Sequence, residues 1–167
     1  ENNIEQVVSG INLGANLGTD VFYSGTVGAA IAGINLKYAP VAISVCSFSP
    51  RDISFIADKA FELIQKFRSI SLPQNSLINI NFPDILKQDY KGELYTKLAK
   101  RGAPEAPNII SKKDQLSFTF SASGDFIDGQ TDTDMQAIEN GYVSVSILNY
   151  DISNANDFLG RKISHGS

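Results

Sequence analysis

The sequence Val7-Val8-Ser9-Gly10-Ile11-Asn12 opens a stretch that runs through Gly14, Asn16 and Gly18 to Tyr23-Ser24-Gly25-Thr26. A β-branched run, a glycine-rich polar loop and a small-residue segment follow one another, which predicts a buried strand, a loop and the first turn of a helix. Polar side chains and free backbone N–H groups converge in such a connection. The stretch therefore favours an α/β fold with a site suited to a metal ion or a phosphate group.

The loop alternates glycines with asparagines. Gly10, Gly14 and Gly18 recur every four residues, and Asn12 and Asn16 lie between them. Amide oxygens are hard ligands, which suit a divalent metal ion such as Mg²⁺, Mn²⁺ or Ca²⁺. The glycine spacing differs from the dinucleotide-binding pattern G-x-G-x-x-G, and no lysine follows to make a Walker A loop.

Ser24 is placed as the N-cap of the next helix, whose first turn contains Gly25 and Thr26. A helix N-terminus carries unpaired N–H donors and roughly half a positive charge. We therefore expect Ser24, Thr26 and the Gly25 backbone to hold a phosphoryl group. An ordinary strand–loop–helix connection explains the same composition equally well.

This run closely resembles the SurE family of 5'/3'-nucleotidases, the stationary-phase survival proteins. Two later segments are also similar to the family: Asn79-Ile-Asn81-Phe82-Pro83, and Thr133-Asp134 followed by Gly141-Tyr142-Val143-Ser144. The resemblance covers roughly residues 4–153. It implies a metal-dependent phosphomonoesterase that hydrolyses nucleoside monophosphates and assembles as a homodimer or homotetramer.

The resemblance also implies roles for individual residues. Asn12 matches a metal ligand of the family and is expected to act catalytically together with Ser24 and Thr26. The matches to the family's phosphate contacts are Asn16, Ser24, Gly25 and Thr26.

The family's other metal ligands, an adjacent Asp-Asp pair and a serine, have no counterpart here. No two aspartates are adjacent in the 167 residues. We expect a fragment of a longer protein; a truncated version and an inactive nucleotide-binding or scaffold relative are the alternatives. A neutral amide cannot replace two carboxylates in dehydrating a hard cation, so the isolated chain should bind metal weakly and show almost no turnover.

Apolar runs and helical periods alternate along the first half of the chain. The predicted strands are 6–9, 41–46 and 77–81, and the predicted helices are 25–36 and 51–67. This order predicts a Rossmann-like three-layer fold, with a parallel sheet between helices.

The pattern changes after Asp84. Strands are predicted at 94–98, 116–120 and 142–148, a helix at 131–140 with Thr131 or Thr133 as its cap, and a loop at 103–113. We divide the chain into residues 1–85, the C-terminal part of the Rossmann-like nucleotidase core; 86–153, a β-hairpin-rich region for oligomerisation and substrate contacts; and a tail, 154–167.

Composition excludes several classes of protein. The net charge of −4 gives no electrostatic footprint for a nucleic-acid polymer, and no apolar run approaches the ~20 residues of a membrane span. The single cysteine, Cys46, fits a reducing, cytoplasmic location and is expected to be a small buried hydrophobe. The single histidine, His165, belongs to the tail.

Charged residues outside the loop receive ordinary interpretations. Acidic residues gather late in the chain: Asp125, Asp128, Asp132 and Asp134. Their spacing does not match a calcium-binding loop, so we expect a solvated loop there. Lys97 and Arg101 are expected to be solvated, and Asp20 to order its loop by accepting backbone hydrogen bonds.

Overall fold

The computed structural model describes residues 3–104, 106–113, 115–119, 124–127 and 129–152. The strands are β1 (Val8–Leu13), β2 (Val41–Val45), β3 (Ser76–Phe82), β4 (Glu93–Tyr95), β5 (Asn108–Lys112), β6 (Gln115–Thr119) and β7 (Val143–Asn149). The helices are α1 (Gly25–Ile31), α2 (Ile53–Arg68) and α3 (Asp134–Glu139), with short 3₁₀ turns at Gly18–Tyr23 and Lys87–Asp89.

Five strands form one mixed sheet in the order β1-β2-β3-β7-β4, and β5 pairs with β6 in a separate antiparallel hairpin. β1, β2 and β3 are parallel, whereas β7 runs antiparallel to β3 and parallel to β4. The α/β fold is confirmed: β1, β2 and β3 form the parallel sheet predicted for the first half of the chain, and β7 and β4 extend it into a mixed sheet. Since β7 is antiparallel to β3, it starts at the edge of the sheet where β3 ends.

Helices cover both faces of this sheet. On one face α2 packs on alternate apolar residues of the strands, which include Ile43, Ile80 and Val145. On the other face Val27 and Ala30 of α1 pack against Ala42 and Leu77. The three layers predicted from the sequence are therefore present.

β1 differs most from its predicted form. It spans Val8–Leu13, where the sequence predicted a buried strand at 6–9, and it lies at the end of the sheet order with alternating exposure. Gly10 lies inside it with φ +123°, and a Cβ at this position would lie 2.2 Å from the Ile43 carbonyl oxygen. Only glycine fits this conformation and this close approach. The position lies where the β1–β2 register shifts, between Ser9 and Asn12.

α1 is also shorter than predicted. It ends at Ile31, and the chain continues to Leu36 in turns closed by i→i+3 hydrogen bonds. The backbone packs closely against Val7 just beyond this end, at Gly33. A side chain does not fit there, because a Cβ on Gly33 would lie 2.7 Å from the Val7 Cβ. α2 begins two residues later and ends one residue later than predicted, whereas β3 extends its predicted strand by one residue at each end. Asp52 caps α2 by accepting the Phe55 N–H at 3.0 Å.

The loop predicted at 103–113 is wrong in its second half. Asn108–Lys112 forms β5, in which Ile109 pairs with Phe118 of β6. The prolines that suggested a loop both precede the strand, and β-branched isoleucines favour the extended pairing. The predicted strand at 94–98 is confirmed as far as Tyr95. Phe120, Asp128, His165 and the tail 154–167 lie outside the described residues.

Ile80 lies in the core and Phe61 on the surface, so substituting each of them tests the core assignment. Ile80 is fully buried between β2, β7 and α2, so Ile80→Ala should lower the free energy of unfolding by about 2–4 kcal/mol through lost burial and a cavity. Phe61 is 63% exposed, so Phe61→Ala should change it by less than about 0.5 kcal/mol. Urea unfolding followed by circular dichroism measures both, and equal losses would contradict this core assignment.

Candidate active site

The predicted site lies where β1, β2 and β3 end, at their carboxyl edge. Gly33, just beyond α1, lies against Val7 at the opposite edge, so the N-terminus of α1 points to the edge where β1 ends. Asn12 and Ser24 are therefore brought to the same edge of the sheet, as the strand–loop–helix pattern predicted.

Ser24 is the N-cap of α1. Its Oγ accepts the Val27 N–H at 3.1 Å, which confirms the predicted cap. The hydroxyl proton of Ser24 is not used in that bond and can be donated to a ligand. The N–H groups of Gly25 and Thr26 lie in the first turn, where no carbonyl four residues earlier in the helix is available.

Asn12 lies near the end of β1, on a partly buried part of the edge. Its Nδ2 donates to the Gly14 carbonyl oxygen at 2.9 Å, which fixes the orientation of the amide. None of the described residues donates a hydrogen bond to its Oδ1, the atom that a hard cation would take.

Asn16 is held inside the fold. Its side-chain Nδ2 donates to Ser44 Oγ at 2.6 Å, and its backbone N–H donates to Asn81 Oδ1 at 2.9 Å. Its carbonyl oxygen accepts hydrogen bonds from the side chains of both Asn79 and Asn81, each at 2.9 Å. In this geometry Asn16 anchors the loop to β2 and β3, and its amide N–H groups are turned towards Ser44.

Asp134 connects the loop to the second half of the chain. It is fully buried, and its carboxylate accepts the N–H groups of Gly18 at 2.7 Å, Ala99 at 2.9 Å and Met135 at 2.9 Å. Burial raises the pKa of the Asp134 carboxyl, while these N–H donors act in the opposite direction. The expectation that Asp134 lies in a solvated loop is therefore wrong. The backbone N–H groups of Gly18 and Ala99 that pair with it are distant in sequence, so its neighbours along the chain do not reveal its burial.

Arg101 pairs with Asp20 in the turn before Ser24. The guanidinium donates to both carboxylate oxygens, with the shortest distance, Nη2 to Oδ2, at 2.5 Å. It also stacks 4.0 Å from the centroid of the Phe126 ring. The expected solvated arginine is therefore wrong: Arg101 joins the Gly18–Tyr23 turn to the second half of the chain and neutralises the Asp20 charge.

A sequence model of the family described as "Survival protein SurE" matches residues 1–105. The chain belongs to the SurE family. The 5'-nucleotidase SurE of Pseudomonas savastanoi pv. phaseolicola is 38% identical over 152 residues, which cover 90% of this chain and 61% of that protein. The same-named protein of Pseudomonas syringae pv. tomato is 38% identical over 148 residues, 88% of this chain and 59% of that protein.

The fold agrees with this membership. The crystal structure of the SurE protein from Aquifex aeolicus superposes with a TM-score of 0.79 at 30% identity, over 93% of this chain and 63% of that chain. The chain thus spans about three fifths of the length of the SurE proteins it matches.

Sequence reasoning located the loop of this SurE chain but missed the residues that hold it. Asn79 and Asn81 alternate with isoleucines on β3, so both face the same side of the sheet as Ser44. Two asparagines at i and i+2 in an otherwise apolar strand are the available signal, since buried amides need partners.

Replacing Asp134 should destabilise the fold. In Asp134→Asn one carboxylate oxygen becomes an NH₂ group that faces a backbone N–H donor, so we expect a loss of about 1–3 kcal/mol in the free energy of unfolding. The exposed Asp132→Asn is the matched control and should change it by less than about 0.5 kcal/mol. Chemical denaturation measures both, and an unchanged D134N would contradict the bracing role of Asp134.

Cys46 should be unreactive in the folded chain. Cys46 is half-buried, where the sequence predicted a buried residue. Desolvation, aided by the nearby Asp134 carboxylate, raises the pKa of its thiol from 9.0 to about 12. The folded chain therefore holds this proton more tightly than the unfolded chain, and this group's contribution to stability falls as pH rises from about 9 to about 12.

Iodoacetamide labelling followed by mass spectrometry measures the reactivity of this single cysteine. At about pH 8.5 the folded chain should label at least ~100-fold more slowly than the same chain in concentrated urea, because only the thiolate reacts. Equal rates would show that the thiol is not desolvated.

Proposed function

We propose that this chain provides the phosphate-binding edge of a metal-dependent phosphomonoesterase that hydrolyses nucleoside 5'- and 3'-monophosphates to nucleoside and phosphate. The observation that carries the proposal is the Ser24-capped start of α1 beside Asn12 at the carboxyl edge of the sheet. The names of the Pseudomonas relatives, 5'-nucleotidase SurE, support the same reaction.

In this proposal the start of α1 binds the phosphoryl group. The Ser24 and Thr26 hydroxyls and the Gly25 and Thr26 N–H groups donate to its oxygens, and this contact strengthens as negative charge redistributes in the transition state. Asn16 Nδ2 gives one of its two hydrogens to Ser44 Oγ, and a phosphate contact from Asn16 would use the second.

A divalent metal ion, Mg²⁺, Mn²⁺ or Ca²⁺, fits this edge only in part. Asn12 Oδ1 is a suitable hard ligand, but among the described residues no group of three or more His, Cys, Asp or Glu could hold a metal. In the complete site, carboxylates from outside the described residues would join Asn12. When bound, such an ion would polarise a phosphoryl oxygen and lower the pKa of a bound water.

The proposal includes a homodimer or homotetramer built on the β5–β6 hairpin. Ile109, Leu116 and Phe118 share one face of this hairpin and are each about half exposed, an apolar surface that a second copy would cover. The net charge of −4 does not favour a nucleic-acid polymer as partner. In the part of the chain that the structure describes, no helix has the length and apolarity to cross a membrane. The single cysteine supports a cytoplasmic location.

A second candidate function is an inactive nucleotide-binding or scaffold protein. The observation that favours it is the lack of an adjacent aspartate pair in the sequence and of a carboxylate cluster among the described residues. The two candidates differ in one measurable property, because only the enzyme gains metal-dependent turnover when carboxylate ligands are supplied.

Turnover in a fusion protein tests the proposal. We expect almost no phosphate release from adenosine 5'-monophosphate by this chain alone. Fusing to it the part of the Pseudomonas savastanoi relative that it does not match should produce release that needs Mg²⁺ or Mn²⁺ and stops with EDTA. Ser24→Asp, which keeps the helix cap but repels phosphate, should lower kcat/KM at least ~100-fold. The exposed Ser71→Ala, in the loop before β3, is the control and should leave it unchanged.

Metal-dependent release by the unfused chain would contradict the incomplete metal site. A folded fusion that binds adenosine 5'-monophosphate without releasing phosphate would favour the inactive binder. Full activity of the S24D fusion would show that Ser24 does not bind the phosphoryl group.

A further inference from the structure

Phe48 presents an aromatic ring at the same edge of the sheet. The residue is 85% exposed, far more than a phenylalanine of the core. Its Cε1 and Cζ atoms lie 3.3 and 3.7 Å from the point that a Cβ on Gly14 would occupy, and Asn12 Nδ2 lies 3.7 Å from that point. The ring and the Asn12 amide therefore both lie within 4 Å of the same point beside Gly14.

The turn that carries Phe48 is tied to the sheet. The Cys46 N–H donates to the Phe82 carbonyl oxygen at 2.8 Å, and the Ser47 N–H donates to the Val45 carbonyl oxygen at 2.8 Å. The Ser49 N–H donates to Ser47 Oγ at 3.2 Å. The backbone on both sides of Phe48 is thus held in place, so little conformational entropy of this turn is lost when a ligand stacks on the ring.

Other exposed aromatic rings are placed differently. Phe22 and Tyr23 belong to the turn that ends at Ser24, and lie beside the helix start itself. Phe48 instead lies against the loop that follows Asn12, on a separate strand end. A nucleotide separates its phosphate from its base by a sugar, so a base needs a surface next to the phosphate site rather than within it.

We propose that Phe48 is the stacking platform for the nucleobase of the nucleoside monophosphate, and that it sets the preference for nucleotides over other phosphomonoesters. This inference rests on the proposed function. Every base has a π-face that stacks on an aromatic ring, and such stacking tolerates different bases. Phe48 is therefore expected to favour nucleotides as a class, with purines preferred for their larger ring area.

The experiment compares three probes by isothermal titration calorimetry in the presence of Mg²⁺: adenosine 5'-monophosphate, ribose 5-phosphate and adenosine. The wild-type chain should bind adenosine 5'-monophosphate more tightly than ribose 5-phosphate. Phe48→Ala should weaken the binding of adenosine 5'-monophosphate and adenosine by roughly 5- to 100-fold and leave ribose 5-phosphate unchanged. Phe61→Ala, the exposed aromatic control on α2, should change none of the three.

Phe48→Trp adds a direct signal. The chain contains no tryptophan, so the new indole is the sole one and its fluorescence reports on this position. Adenosine and adenosine 5'-monophosphate should quench it, whereas ribose 5-phosphate should not. Because position 48 is exposed, both substitutions should leave the fold intact, which circular dichroism checks.

The outcomes separate this inference from the proposed function. If F48A keeps the full preference for adenosine 5'-monophosphate over ribose 5-phosphate, or if the wild type has none, Phe48 stacking is overturned while the phosphate site stands. If ribose 5-phosphate does not bind but adenosine binds and quenches F48W, stacking is supported and the phosphate site fails. If none of the three probes binds, both are overturned.

Discussion

The buried carboxylate of Asp134 is the interaction on which the arrangement of the site depends. It accepts backbone N–H groups from three separate places: the start of the Gly18–Tyr23 turn, Ala99 after β4, and its own helix at Met135. These groups would otherwise be buried without partners, and an unpaired buried donor costs about 1–3 kcal/mol. One side chain thereby fixes the loop that leads to Ser24 against the second half of the chain.

The two faces of the sheet have different tasks. Towards α2 the strands present isoleucine, valine and phenylalanine, which provide the apolar core. On the other face, near the edge, they present small polar side chains that are just as deeply buried: Ser44, Asn79, Asn81, Ser144 and Ser146. Most buried polar groups are paired, and Asn16 is the loop residue that pairs with Ser44, Asn79 and Asn81. Among the described residues, Asn79 Oδ1 is buried without a hydrogen-bond partner. The hydrogen bonds of the polar face thus fix the position of the loop, whereas an apolar face would give it no directional contacts.

The features predicted correctly from the sequence were mostly those that a local pattern of residues determines. The Ser24 cap, the Thr133 cap, α2 and the central strands follow from residues within a few positions of one another. The errors at the site concern partners that are distant in sequence. Asp134 and Gly18 are 116 positions apart, and Asp20 and Arg101 are 81 apart, so no periodicity connects them.

An acidic chain can still offer an edge that accepts phosphate. Two carboxylates lie close to the loop, and either would repel an anion if it were unpaired. Asp134 is surrounded by backbone N–H donors inside the fold, and Asp20 is held by the Arg101 guanidinium, which stacks on Phe126. Because both charges are met by donors within the fold, neither carboxylate presents an unpaired charge to the loop. In the proposed function a phosphate at this edge would meet the Ser24 hydroxyl and the first N–H groups of α1, while the Asn12 amide oxygen, an acceptor, would be left for a metal ion. The net charge of −4 is therefore compatible with such a site.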